Sequence, residues 1–196
     1  MILTILFIFF CIRFISLKIS MQHAKQLKVE GAVEYGVKNS KYLAITHVFI
    51  YMSAAIETFI HKDTFSILNG IGLIILIVAY IMLFIVIKTL GRIWTLKLFI
   101  LPNHPIIKSG LYKVTKHPNY FLNIIPELIG ILLLTHATYT TLLLVPYAYF
   151  LIARIRQEEN LMNIYNKKPT ITLLRTHIFK ATFWKMRYLN VRTVGF

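Results

Sequence analysis

Polar side chains stand where the chain should be oily in GLYKVTKHPNYFLNIIPE, residues 110–127. A basic loop runs into His117, Pro118, Asn119 and Tyr120, and the apolar run that follows still carries Asn123 and Glu127. Pro118 suits the first turn of a helix, where a missing N–H costs no hydrogen bond. On that helix Tyr120, Asn123 and Glu127 fall at i, i+3 and i+7 and share one face. Amide and carboxyl groups at membrane depth are expensive and normally face a polar cavity or partners. The plain alternative is a structural hydrogen bond between helices. A second cluster is RIRQEEN, with Arg154 and Glu158 four apart and neighbours on one helix face, followed by Glu159. Its plain reading is a salt-bridged helix end. A tight helical hairpin around His136 would instead bring His117, Tyr120, Arg154 and Glu158 together at the membrane surface.

The elements that must position these groups follow from the composition. The chain has 196 residues, 57% of them hydrophobic, and a mean hydropathy of +0.67. That is too apolar for an ordinary soluble domain and indicates an integral membrane protein. A spanning helix needs about 20 apolar residues. The expected spans are 1–19, 42–60, 65–88, 119–135 and 137–155, in one domain covering 1–196. The fold class expected is all-α: a bundle of about five transmembrane helices with a cytoplasmic site and a basic C-terminal tail. The first segment has neither a basic region before it nor an A-x-A site after it, so it reads as a retained span rather than a signal peptide. Pro126 and Pro146 are tolerable where neighbouring helices satisfy the backbone.

Net charge is +15, and all but two of the 22 Lys and Arg fall in the 18–41 loop, the 88–118 loop or the region from 154 onward. The exceptions are Lys62 and Arg13, the latter inside the first span. With five spans those three regions share one face. The positive-inside rule makes that face cytoplasmic, with the N-terminus outside and the C-terminus in the cytoplasm. Basic loops against anionic membrane lipids account for the charge without nucleic acid.

The single cysteine, Cys11, excludes an internal disulfide and a Cys-based zinc site. Glu57 and His47 lie ten residues apart on the second span and read as satisfied polar groups, so no metal is expected. No Gly-rich phosphate loop, GxSxG elbow or HExxH is present. GAVEYG (31–36) reads as a turn or a wall of a site entrance, and Trp94 as an interfacial belt residue. The aromatic, basic tail (Phe179, Phe183, Trp184, Tyr188) reads as an interfacial segment or a lid.

HPIIKSGLYKVTKHPNY has the spacing H-x7-Y-x4-H-P-x-Y from His104 to Tyr120, and R-x-x-x-E-E follows at Arg154 to Glu159. This block, 104–159, resembles the isoprenylcysteine carboxyl methyltransferase family of membrane-embedded S-adenosylmethionine (SAM) methyltransferases. GAVEYG, LGRIWTLKL and LPNHPIIKSGLYK resemble a bacterial branch, some members of which O-methylate long-chain alkylpyrones made by type III polyketide synthases. The resemblance implies a bacterial cytoplasmic membrane enzyme with SAM as cofactor and a lipid-like acceptor. It implies that His104, Pro105, Ile106, Ile107, Tyr112, His117, Pro118, Asn119, Tyr120 and Glu158 hold SAM, with Lys97 a further cofactor contact. Arg154 would face the methyl-accepting anion; Asn123, Glu127 and Glu159 are read, from their own positions, as substrate contacts or cavity wall. The acceptor would be an ionised carboxylate or acidic enol, so no strong general base is needed. Competing classes are an NADPH-dependent membrane reductase, a non-catalytic membrane subunit and a small transporter.

Overall fold

The computed structural model describes residues 1–61, 64–101, 111 and 115–167, with side chains through Asn163. It divides into two compact units, Met1–Ile155 and Arg156–Phe196. Five α-helices dominate: α1 (Ile2–Val29), α2 (Val37–His61), α3 (Ile67–Leu90), α4 (Ile125–Thr135) and α5 (Leu144–Lys167). Two short strands, β1 (Val33–Tyr35) and β2 (Leu98–Ile100), pair antiparallel with Glu34 opposite Phe99.

The bundle is apolar outside as well as inside. Leu76, Leu83, Val86, Ile131 and Leu134 are fully buried, while Phe7, Ile74, Ile81 and Phe84 face outward. A helix apolar all round belongs in lipid. Among the described residues, α1, α2 and Ile67–Ile93 are long and apolar enough to cross a membrane, and Asn119–Thr135 is a shorter apolar helix. The expected fifth span, 137–155, is realised differently. A 3-10 turn at Tyr139–Leu143 leads into α5, which runs on into the charged RIRQEEN stretch.

α1 is longer than the expected 1–19, and much of the expected 18–41 loop is helix. The reason is burial. Ser20, Ala24 and Leu27 follow one face of α1, and Ala24 and Leu27 pack with Phe99 and Leu101. The helix stops before Gly31, whose φ of 83° suits glycine. GAVEYG is therefore a strand, β1, between two glycines of positive φ, rather than a turn. Trp94 is not a belt residue: at 1% exposure it sits in the main core.

α3 and α4 form the most extensive contact of the bundle. They approach through glycines, as membrane helices commonly do. A Cβ on Gly130 would meet Leu76 Cγ at 2.8 Å and the Gly72 carbonyl at 3.0 Å. Ser66 and Asn69 cap α3 reciprocally. Asn69 Nδ2 also donates to the Leu134 carbonyl at 2.7 Å, and Ser66 Oγ meets His136 Nε2 at 3.0 Å. His136, left-handed at φ 49°, ends α4 and turns the chain back, as the sequence led one to expect at that residue.

Between Pro118 and α4 the helix widens to a π-turn over Asn119–Ile124, and the Ile125 N–H reaches the Tyr120 carbonyl, five residues back. Pro126 follows at once; it has no N–H to give and its ring crowds the carbonyl four residues earlier. One extra residue in a turn rotates everything beyond it by about 100°. Tyr120 and Glu127 nonetheless both face the bundle interior, where Tyr120 meets Arg154 and Glu127 meets Arg13.

Candidate active site

Within the first unit a cavity of about 140 Å³ lies between α1, α2, the π-turn and α5. Its polar lining includes Arg13, Ser40, His47, Asn119, Tyr120 and Arg154, with Thr95 and Tyr147 beside them. Phe10, Phe14, Leu43 and Ile124 are among the apolar residues that complete the wall.

Arg154 is 3% exposed. Its Nη1 donates to Ser40 Oγ at 2.7 Å, its Nε to Tyr120 Oη at 3.3 Å and its Nη2 to the Leu96 carbonyl at 3.3 Å. All three partners are neutral, and no carboxylate meets Arg154 among the described residues. Ser40 Oγ in turn donates to the Gly36 carbonyl at 3.0 Å, which fixes its lone pairs toward the guanidinium. Three hydrogen bonds thus orient a buried cation without neutralising it. Such a charge is costly unless something pairs with it.

Behind the wall lies a second polar group, centred on the fully buried Glu127. Arg13 Nη2 is 3.1 Å from Glu127 Oε2. Tyr51 donates to Glu127 Oε1 at 2.7 Å. Tyr80 Oη lies 3.0 Å from that oxygen and 2.9 Å from the Phe9 carbonyl, so its one proton serves either. His47 Nε2 is 3.4 Å from Glu127 Oε1, and its Nδ1 is 3.1 Å from Tyr147 Oη. The network takes one or more side chains from each of the five helices. Arg13 and His47 belong to both groups, since both also line the cavity.

The sequence profile of the isoprenylcysteine carboxyl methyltransferase (ICMT) family matches residues 72–164, from α3 into α5. An uncharacterised protein of Haemophilus influenzae is 51% identical over 153 residues, 78% of this chain and 89% of that one. The uncharacterised protein YpbQ of Bacillus subtilis is 32% identical over 152 residues, 76% of this chain and 89% of its own. The chain belongs to the ICMT family. It is a membrane protein of a methyltransferase family. No solved structure matches it.

The candidate residues of this ICMT-family chain separate into groups. Asn119, Tyr120 and Arg154 meet at the cavity. The His117 and Tyr120 rings stack at 5.7 Å with 28° between planes, and Pro118 beside them is fully buried. Asn123 is fully buried with Nδ2 3.3 Å from Asn119 Oδ1, and its own Oδ1 has no hydrogen-bond partner among the described residues. Neither Asn123 nor Glu127 is part of the cavity lining; Glu127 holds Arg13 instead. Glu158 and Glu159 lie in the second unit, on α5. His104, Pro105, Ile106, Ile107 and Tyr112 lie outside the described residues, as does the tail after Lys167.

Lys97 is engaged elsewhere. Its Nζ pairs with Glu34 Oε1 at 2.8 Å, and Lys28 Nζ holds Glu34 Oε2 at 3.2 Å, tying the β-ribbon to α1. Partial burial pushes the Glu34 carboxyl upward, but the two lysines outweigh it and hold it below the usual carboxylate range. Glu57 accepts from the Tyr139 N–H at 3.0 Å and from the Thr140 N–H and hydroxyl, capping the 3-10 turn, as befits a satisfied polar group. No cluster of metal-ligating side chains occurs among the described residues.

Sequence reasoning gave Arg13, Ser40 and Tyr147 no role at the site and read His47 only as a satisfied polar group. The one signal for Arg13 was its type: a guanidinium inside an apolar span marks a functional or paired site by default.

Proposed function

We propose that this protein is a SAM-dependent O-methyltransferase of a lipid-like acceptor carrying a carboxylate or an acidic enol. The observation that carries the reading is Arg154: a buried, oriented guanidinium on the wall of an apolar cavity, with only neutral partners among the described residues. A planar guanidinium grips two oxygens of one anion at once. Of the acceptors the resemblance suggests, a long-chain alkylpyrone and an S-isoprenylcysteine carboxylate both present such a pair on an apolar body.

The residues around the cavity fit SAM. The stacked His117 and Tyr120 rings offer a flat aromatic surface and polar edges. Asn119 offers an amide on the cavity wall, and Asn123 Oδ1 behind it is a buried acceptor still lacking a donor among the described residues. His117, Pro118, Asn119, Tyr120 and Glu158 would hold the cofactor, joined by His104–Ile107 and Tyr112; Lys97 and Glu159 are secondary. Bound SAM supplies an electrophilic methyl group on a sulfonium. Arg154 binds and orients the acceptor's anion, and Tyr120 Oη, Ser40 Oγ and the Leu96 carbonyl keep the guanidinium aimed. The acceptor is already ionised at neutral pH, so no residue has to remove a proton. The apolar wall excludes water, and alignment alone removes several kcal/mol of barrier. In the orientation proposed, the N-terminus is outside and the C-terminus in the cytoplasm of a bacterial cell, where soluble SAM is available.

Calorimetry of SAM on detergent-purified protein, with His117→Ala and Glu158→Ala, tests the cofactor half. Binding lost in both folded variants is expected; a folded wild type that binds no SAM overturns the reading in favour of a non-catalytic subunit. Transfer of labelled methyl from SAM to a long-chain alkylpyrone, abolished by Arg154→Gln while SAM still binds, tests the acceptor half.

A further inference from the structure

Two guanidiniums line the cavity, and only one of them lies in the segment that matches the family profile. Arg13 spends Nη2 on Glu127, while its Nη1 is buried with no hydrogen-bond partner among the described residues. Arg154 meets no carboxylate among those residues. Among the described residues, two cations against the one carboxylate of Glu127 leave a single positive charge beside an apolar space. His47, a further neighbour, has its two ring nitrogens toward Glu127 and Tyr147, and the lining phenols of Tyr120 and Tyr147 are neutral groups.

The apolar wall also has a direction. On α1, Phe10, Arg13, Phe14 and Leu17 form one stripe at i, i+3, i+4 and i+7. On α2, Ala44 and Val48 face it. Phe14, Leu17 and Val48 are 48%, 37% and 46% exposed on the outside of an apolar bundle. The cavity wall thus runs from the buried Arg154 and the largely buried Arg13 to the lipid-facing surface between α1 and α2.

We infer that Arg13 is a second anion-binding residue of this cavity, and that its ligand is a monoanionic, single-chain amphiphile whose tail leaves between α1 and α2. This rests on the acceptor reading above and adds a residue and a path to it. The head spreads one negative charge over two oxygens, one toward Arg154 and one toward the spare Nη1 of Arg13. Glu127 positions Arg13, and Tyr51, Tyr80 and His47 position Glu127.

The test is equilibrium binding of labelled dodecanoate and of 1-dodecanol to the full chain in phosphatidylcholine nanodiscs, with empty nanodiscs as blank. Wild type is expected to bind dodecanoate at least about tenfold more tightly than dodecanol, the scale of a charged hydrogen-bond partner. Arg13→Gln/Glu127→Gln removes the cation and its counter-charge together and leaves Arg154 in place, so it is expected to weaken dodecanoate binding by about tenfold, the share of one charged hydrogen bond, while dodecanol binding stays unchanged. Val48→Trp, at an exposed position on the mouth, is expected to weaken dodecanoate binding without touching either arginine, and keeps the idea testable should the double variant not fold. Equal affinity for the two probes, or unchanged dodecanoate binding in the folded double variant or in Val48→Trp, overturns the inference. SAM binding by the same wild-type sample decides the methyltransferase reading separately. Dodecanoate preference without SAM binding would leave Arg13 in an anionic-amphiphile site and remove the enzyme.

Discussion

Glu127→Gln isolates the charge at the centre of the bundle. The substitution keeps an oxygen where Oε1 accepts from Tyr51 at 2.7 Å, so most of the hydrogen bonding survives. What it removes is the counter-charge 3.1 Å from Arg13, whose side chain is 12% exposed against 0% for Glu127. Stranding one member of a buried ion pair costs about 3–5 kcal/mol. At roughly 2–4 °C per kcal/mol for a chain of this size, the loss is on the order of 6–20 °C in Tm. Arg13→Gln should cost a similar amount, since it strands the carboxylate. Arg13→Gln/Glu127→Gln strands neither and leaves two amides able to hydrogen-bond. Its Tm should lie above that of either single variant, with a coupling of about 2–3 kcal/mol. Thermal unfolding of the four proteins in one detergent measures the cycle. A double variant as damaged as the two singles added together would refute the pairing and the network built on it.

The ribbon contact should be visible in acid. Because Lys97 and Lys28 depress the Glu34 carboxyl, its contribution is present above the ordinary Glu pKa of about 4.3 and disappears as pH falls through the lower folded value. Glu34→Gln should remove that acid-limb slope, with an amplitude below about 1 kcal/mol because both lysines are half exposed; a variant whose Tm falls with acid as steeply as wild type contradicts this. Gly130→Ala should destabilise by about 1–3 kcal/mol, since its methyl meets Leu76 and the Gly72 carbonyl, and an unchanged Tm would mean that α3 and α4 do not cross there. Ser66→Ala removes the α3 cap and its link to His136, at about 1 kcal/mol; hydrogen exchange in the first turn of α3 should rise, and equal protection would refute the cap.

Long apolar runs made α2 and α3 legible, because a sustained oily stretch has few other fates. The far half of α1 was not legible: its polar surface hid a small buried stripe whose partners, Phe99 and Leu101, lie on and just past a strand too short to announce itself. The π-turn over Asn119–Ile124 was not legible, because nothing in the hydropathy of the segment marks a widened turn. Arg154 was legible because its type and spacing sit in a motif. The role of Arg13 was not, because its partner is more than a hundred residues away and only packing brings the two together.

The five-helix network also bears on how the bundle is made. Arg13 emerges in the first helix, while Glu127 is synthesised only after three helices have been threaded. Each charge, alone at the centre of a bilayer helix, costs about 2.5–3.5 kcal/mol during insertion. Without Glu127, Arg13 has no carboxylate partner within the bundle among the described residues, and its burial is correspondingly costly. The arrival of Glu127 lets both charges withdraw together, drawing in the hydroxyls of Tyr51 and Tyr80 and the imidazole of His47. The ion pair thus ties the first helix to the fourth: a bundle lacking either would leave one of the two charges without its partner.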